Sequence, residues 1–185
     1  MIANPLRRLV TAWLLTAAID GTFSSLLSVA AYHSTVTRLF QGVAATLLGP
    51  EALTGGTSTA LIGVAMHVGV AFGWSAVFLL LAMRSRRIRD TIATPYGVVG
   101  VAALYGPFIW LVMSLAVMPL LVHRPPAITF RWWVQLVGHF PFVGLPIVWS
   151  IVALPDRDER FGGRWSGRRR RWRISSPAAG DHEGR

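Results

Sequence analysis

The sequence contains no cysteine, which excludes disulfide bonds, zinc–thiolate sites and thiol catalysis. Charged residues are also scarce: they make up 14% of the 185 residues, whereas soluble domains carry about a quarter. The motifs G-x-S-x-G, G-x-x-x-x-G-K-[ST], H-E-x-x-H and G-x-G-x-x-G are absent. We therefore expect a protein without enzymatic activity and without a bound metal. A membrane enzyme whose site is scattered along the chain stays an alternative.

Long apolar stretches are the dominant feature of what is present. Hydrophobic residues make up 53% of the chain, and the mean hydropathy is +0.50. A membrane-spanning helix needs about 20 apolar residues. Four stretches meet this length, at about residues 9–32, 57–83, 95–122 and 133–154. The sequence predicts an all-α integral membrane four-helix bundle. The first stretch exceeds the core of about 7–15 residues in a signal peptide, so we expect it to be retained.

The segment between the first and second spans predicts a different kind of helix. Val36, Leu39, Phe40 and Val43 recur at helical spacing, and the segment is too short to cross a bilayer. Gly49-Pro50 is a stop signal. We therefore predict a short interfacial or re-entrant helix over about residues 35–48.

All 18 basic residues are arginines, and their distribution predicts the orientation of the chain. Fifteen lie on the side that holds the N-terminus, the loop 84–90 and the tail 155–185, and three lie on the other side. Positive residues concentrate on the cytoplasmic side of membrane proteins. We therefore expect a bacterial inner-membrane protein with both termini in the cytoplasm. The polar, glycine-rich tail is expected to be a largely disordered basic segment.

Nine arginines of the loop and the tail are expected to bind anionic lipid head groups or to anchor the topology. Each arginine near an anionic surface contributes about 1 kcal/mol, and topology alone also accounts for the clusters. We expect the lipid bilayer as the partner, and no nucleic acid. The nine residues are Arg84, Arg86, Arg87, Arg89, Arg168, Arg169, Arg170, Arg171 and Arg173.

Three polar residues, Asp20, His67 and His139, fall inside the apolar spans. At about 1.5 Å per residue they lie roughly 16, 15 and 9 Å from the nearest span end. A charged residue at the centre of a bilayer costs about 2.5–3.5 kcal/mol, which disfavours exposure to lipid. We therefore predict that both histidines point inward to one shared cluster near Asp20. The cluster is expected to tie helices together, to handle protons or, through the two imidazoles, to bind haem.

Small residues in the second and third spans predict close helix contacts. Gly69 and Gly73 form a G-x-x-x-G pattern, and Ala102 and Gly106 repeat the spacing. Gly63 is interpreted as part of the same packing surface. Such patterns allow helix backbones to approach each other within a membrane, and they are consistent with a homo-oligomer or a larger membrane complex.

The order of several features resembles that of the YagU-type proteins, which are small four-span proteins of the bacterial inner membrane. The features are a polar residue in the first span, LLGPEALTGG, the histidine of GVAMH, a glycine-rich third span and the VGH of the fourth span. The resemblance covers about residues 9–154. It implies a four-helix inner-membrane protein and a shared role for His67 and His139, and it carries no assigned chemistry. The arginine-rich tail departs from the family pattern.

Three classes of function are consistent with these observations. The favoured class is a non-enzymatic membrane component or complex subunit. The second is a small transporter or proton-linked permeation unit that uses Asp20, His67 and His139. The third is an electron carrier that holds haem b between the two histidines, and apart from this haem no cofactor is expected.

Overall fold

The computed structural model describes residues 4–123 and 125–152. The tail that follows, with the arginines at 168–171 and 173, lies outside the described residues. The predictions of its disorder and of its contact with lipid head groups therefore stay predictions.

The described residues fold into helices joined by short connections, and they contain no strand. Four of the helices are long and apolar enough to cross a membrane. This confirms the predicted all-α bundle, in which four helices are candidate membrane spans. The helices are α1 (Pro5–Ala31), α2 (Val36–Leu48), α3 (Gly56–Arg84), α4 (Arg86–Thr91), α5 (Pro95–Val122) and α6 (Phe130–Val152), with a 3₁₀ turn at Pro50–Thr54 between α2 and α3.

The four long helices pack as antiparallel neighbours. On α1, the Trp13 indole donates to the Val68 carbonyl of α3 at 2.8 Å, and its ring meets Phe72 edge-on at 5.3 Å. Helix α3 contacts α5 through Tyr105, whose hydroxyl donates to the Trp74 carbonyl at 2.7 Å. Helix α6 packs against both α1 and α5. Each long helix therefore contacts the helices that precede and follow it around the bundle.

One half of the bundle, which we call the packed half, is filled with buried apolar side chains. It lies at the end where α1 begins and α6 ends. There the Arg8 guanidinium donates to the Ile151 and Val152 carbonyls, the latter at 3.0 Å, so that α1 is tied to the last turn of α6. The core of this half comprises Ala12, Phe78, Leu79, Ala82, Ile92, Val98, Ala102, Tyr105, Ile109, Val143, Ile147, Val148 and Ile151.

The basic loop after α3 contains the short helix α4. Ser85 caps this helix by accepting from the Ile88 amide at 3.3 Å. Arg89 folds back and donates to the Ala82 and Met83 carbonyls at 3.0 and 2.8 Å, which satisfies two carbonyls at the end of α3. Arg89 therefore caps a helix, whereas the other arginines of this loop, Arg84, Arg86 and Arg87, are exposed.

The small residues divide into two groups. A Cβ added at Gly63 would overlap the backbone carbonyl of Phe40, and one at Gly106 would overlap that of His139. Ala102 is fully buried, and its carbonyl lies against Gly144. At these three positions the predicted close approach of helix backbones is present.

Gly69 and Gly73 have no packing contact within the described residues, and their predicted role in helix packing stays a prediction. Both glycines are exposed, and no atom of the described residues lies within 4 Å of a Cβ built at either position. The reason is helical phase. Gly63 and Gly69 are six residues apart, which at about 100° per residue places them roughly 120° apart around the helix.

Three of the long helices contain a π-helical turn, at Leu27–Ala31, Met113–Val117 and Phe140–Gly144. Pro141 lies inside the third turn and has no backbone N–H. The Val137 carbonyl accepts instead from the Phe140 amide. Such a turn inserts one extra residue into the helix and is frequent at functional sites.

Candidate ligand-binding cavity

The half of the bundle opposite the packed half contains a partly open cavity of about 790 Å³. The cavity is bounded by the second half of α1, the first half of α3, the second half of α5 and the first half of α6, with α2 along one side. Its wall is mostly apolar, with side chains such as Val43, Met66, Val70, Met113 and Val143. The volume lies within the range of about 300–1,000 Å³ that is typical of small-molecule sites.

Helix α2 forms one wall of this cavity. Leu39, Gly42, Val43 and Thr46 line it from one face of the helix, at the spacing i, i+3, i+4, i+7. Gln41 donates to the Gly56 carbonyl at 3.0 Å and so fastens α2 to the start of α3. The segment that was predicted as an interfacial or re-entrant helix is thus a packed part of the bundle.

Asp20 and His67 face each other at the cavity wall. The Asp20 Oδ2 atom lies 3.9 Å from Nδ1 of His67, and the two side chains are 15% and 18% exposed. The other ring nitrogen of His67, Nε2, lies 3.2 Å from the Ala17 carbonyl oxygen. A carbonyl oxygen only accepts hydrogen bonds, so Nε2 carries a proton and donates it. The histidine is held between the backbone and the carboxyl group of one helix, α1.

His139 lines the same cavity from α6 and is buried. Its Nδ1 donates to the Gln135 carbonyl at 2.7 Å, and its ring centroid lies 4.8 Å from that of Trp110. The structure therefore places Asp20, His67 and His139 along one cavity. The role of this cluster as a relay, a structural tie or a ligand site stays a prediction at this point.

Four polar atoms of the cavity wall are buried and have no hydrogen-bond partner among the described residues. They are Thr16 Oγ1, Asp20 Oδ1, Trp110 Nε1 and Gln135 Oε1. Buried polar groups in native proteins are nearly always paired, and an unpaired one costs about 1–3 kcal/mol. All four atoms belong to residues that line this one cavity.

Sequence reasoning missed Gln135 and Trp110. Gln135 lies four residues before His139, so it occupies the same face of the helix as that histidine, and this spacing was visible in the sequence. Trp110 carried no such signal, because a tryptophan in an apolar span is ordinarily a packing residue.

The neighbouring tryptophans at 132 and 133 differ in burial, and Trp132 is the buried one. Its side chain is buried and lines the cavity, and its Nε1 donates to the Ser114 hydroxyl at 3.1 Å. Trp133 is 54% exposed. Helix α6 begins at Phe130, three residues before the predicted start, so both tryptophans lie in its first turn.

The residues that the structure describes contain no group of three or more His, Asp or Glu side chains arranged to hold a metal ion. The haem hypothesis depends on one free nitrogen of each imidazole. In His67 that nitrogen is Nδ1, which faces the Asp20 carboxyl group. Haem binding stays a prediction without support from this geometry.

Comparisons with protein-family models, with curated proteins and with solved structures find no match to this chain. The resemblance to the YagU-type proteins therefore stays a prediction, and the function is inferred from the cavity itself.

Proposed function

We propose that this chain is a non-enzymatic, multi-pass membrane protein that binds an apolar small molecule with a polar head group inside its cavity. The observation that carries the proposal is the combination of an apolar wall of molecular size with four unpaired polar atoms, those of Thr16, Asp20, Trp110 and Gln135. Small-molecule sites have this composition: a mostly apolar wall and a few polar groups that fix the orientation.

The packed half favours a binding function rather than a continuous aqueous path for ions. Beyond Asp20, the bundle interior is filled by apolar side chains, among which Phe78, Val148 and Ile151 are almost completely buried. A hydrated path through the bundle requires polar groups along its whole length.

The binding test uses two matched glycine variants. Gly42 lies on the face of α2 that lines the cavity, and a Cβ built there meets no atom of the described residues within 4 Å. Gly42→Phe therefore places a ring in open cavity space, whereas Gly69→Phe places the same ring on the exposed side of α3.

The measurement is the binding of tritiated ten-carbon probes to bead-bound protein in nanodiscs of zwitterionic lipid. The probes are decyltrimethylammonium, decanol and decanoate, which differ in the head group. We expect at least one probe to bind the wild-type protein and the Gly69→Phe variant and to lose most of its binding to Gly42→Phe. Equal binding to all three proteins, or no binding of any probe, would overturn the proposal.

We also propose a bacterial inner-membrane location with cytoplasmic termini, on the basis of the arginine distribution. The cysteine-free sequence allows a direct test with single-cysteine variants. Thr37→Cys in α2 and Arg87→Cys in α4 replace exposed residues. A membrane-impermeant maleimide is expected to label Thr37→Cys in intact spheroplasts and Arg87→Cys only after permeabilisation. The reverse pattern would contradict the orientation.

A further inference from the structure

We propose that the head group bound in the cavity is a cation and that it exchanges with one proton held between Asp20 and His67. This inference rests on the proposed function, because it names the chemical class of the ligand and the ion that leaves when the ligand binds.

The position of the proton follows from hydrogen-bond chemistry. Because Nε2 of His67 donates to the Ala17 carbonyl, Nδ1 is the nitrogen that faces Asp20 Oδ2. In a neutral imidazole with Nε2 protonated, Nδ1 is an acceptor, and an ionised carboxylate offers only acceptors. Two acceptors that face each other in an apolar setting repel, and an isolated carboxylate there is costly. One proton on either His67 or Asp20 removes both the repulsion between the acceptors and the isolated charge. The pair then has no net charge.

The charges around the pair favour a positive ligand. Asp20 on α1 is the acid among the described lining residues, and the other titratable groups that line the cavity are His67 on α3 and His139 on α6. Helices α2 and α5 contribute apolar, hydroxyl and tryptophan side chains, and no arginine of the described residues lines the cavity. An anionic head group would find no arginine among the described residues of the cavity wall.

The unpaired atoms and the aromatic rings also favour a positive ligand. Asp20 Oδ1 and Gln135 Oε1 are acceptors, the Thr16 hydroxyl can accept or donate, and Trp110 Nε1 is the one atom of the four that can only donate. The indole rings of Trp74, Trp110 and Trp132 also line the cavity. Aromatic faces attract cations, most strongly where water is excluded.

The exchange balances charge. When a cation enters, a pair that kept its proton would leave one positive charge without a partner in the cavity. Loss of one proton to the solvent leaves the Asp20 carboxylate opposite the cation and His67 neutral, with its Nε2 still donating to Ala17. One positive charge enters and one leaves, so the occupied and the empty cavity have the same net charge.

The experiment compares the three ten-carbon probes and follows the proton. Decyltrimethylammonium has a fixed charge, so any proton released on binding comes from the protein. We expect it to bind about tenfold or more tightly than decanol, and decanoate to bind more weakly than decanol. A pH dye in weakly buffered medium should report about one proton released per cation bound. Because proton and cation compete, the affinity should rise with pH, by up to about tenfold per pH unit.

Two variants that each replace one carboxyl group test whether the exchange depends on Asp20 in particular. Asp20→Asn is expected to abolish the preference for the cation, the proton release and the pH dependence, while decanol binding shows that the cavity is intact. Asp90→Asn removes an exposed acid that pairs with Arg86 at 3.8 Å, and it should leave all three properties unchanged.

The outcomes distinguish this inference from the proposed function. If decanol binds in the cavity and decyltrimethylammonium binds no better, or if no proton is released, the cation exchange is wrong and the binding function stands. If Asp20→Asn retains the preference for the cation, the exchange is also wrong. If none of the three probes binds, the proposed function itself fails.

Discussion

The two halves of the bundle are built from the same four long helices and differ in how their backbones are spaced. In the packed half, small residues such as Ala102 and Gly144 let α5 and α6 touch backbone to backbone. In the cavity half, α5 and α6 also touch at Gly106 and His139, but tryptophans and the added helix α2 border a partly open space of about 790 Å³ between the helices. The comparison indicates that one half provides rigidity and the other provides space for a ligand.

The polar atoms are distributed according to the same division. The packed half contains unpaired buried hydroxyls at Ser75 and Ser150, which are isolated from each other in sequence and lie outside the cavity wall. The cavity half gathers four unpaired atoms around a common space. Unpaired polar atoms lower stability in either half, but only in the cavity can an external group satisfy several of them at once.

The largest expected difference between the halves is in the effect of removing a large side chain. Phe78 is 2% exposed in the packed half, so Phe78→Ala should lower the free energy of unfolding by about 3–5 kcal/mol. Met66 already borders empty space, so Met66→Ala should cost about 1 kcal/mol or less, because fewer contacts are lost. Unfolding by SDS titration in mixed micelles measures both values. Equal losses would show that the cavity half is as tightly packed as the other.

Substitutions at the glycine contacts should give the next largest change in the free energy of unfolding. A Cβ at Gly106 would overlap the His139 carbonyl, so Gly106→Ala should force α5 and α6 apart and cost about 1–3 kcal/mol. Gly69→Ala is the matched control, and it should be neutral or slightly stabilising because alanine favours helices. The same SDS titration reports both variants. A loss at Gly69 as large as at Gly106 would mean that the exposed glycine has a packing partner after all.

A smaller effect is expected for the buried hydrogen bond that joins α5 and α6 in the cavity half. Trp132→Phe removes the donor to the Ser114 hydroxyl and should lower the free energy of unfolding by about 1 kcal/mol. Trp133→Phe changes an exposed neighbour and should leave stability within about 0.5 kcal/mol of wild type. If the two variants are equally stable, the bond does not tie the two helices together.

The smallest expected changes in stability concern two unpaired hydroxyls, one in each half. Ser75→Ala and Thr16→Val each remove a buried hydroxyl that has no partner among the described residues. Both should be neutral or stabilising, by about 1 kcal/mol or less. Only Thr16→Val should weaken the binding of decyltrimethylammonium, because Thr16 lines the cavity and Ser75 does not. Weaker probe binding in both variants would contradict the division of roles.

The bundle itself was largely predictable from the sequence. Each span is recognisable in the sequence by its length and apolar composition. Spans were expected at 57–83 and 95–122, and the structure has helices at Gly56–Arg84 and Pro95–Val122. The length argument works because every backbone group inside a membrane must be paired, and a helix pairs them within one segment. The fourth helix begins at Phe130, three residues before the start of the span expected at 133–154.

The cavity was predictable only in part. Depth and burial cost predicted that Asp20 and the two histidines face inward, since those arguments need no knowledge of neighbouring helices. The periodicity of α2 showed that the helix has an apolar face, but the partner of that face depends on tertiary packing. Gly69 and Gly73 show the same limit: spacing along one helix gives a stripe of small residues, and only the arrangement of the other helices decides whether the stripe is covered.

The π-helical turn at Phe140–Gly144 has a consequence for how the two halves are kept in register. It lies between His139, which faces the ligand space, and Ile147, which belongs to the core. Deleting one residue within the turn would restore an ordinary helix and rotate everything beyond it by about 100°. The imidazole and the apolar face of the same helix would then point in different directions. The inserted residue thus sets the angle between the cavity part and the core part of α6. Deleting this one residue would separate ligand recognition from folding, because the two parts of the helix would no longer face their partners together.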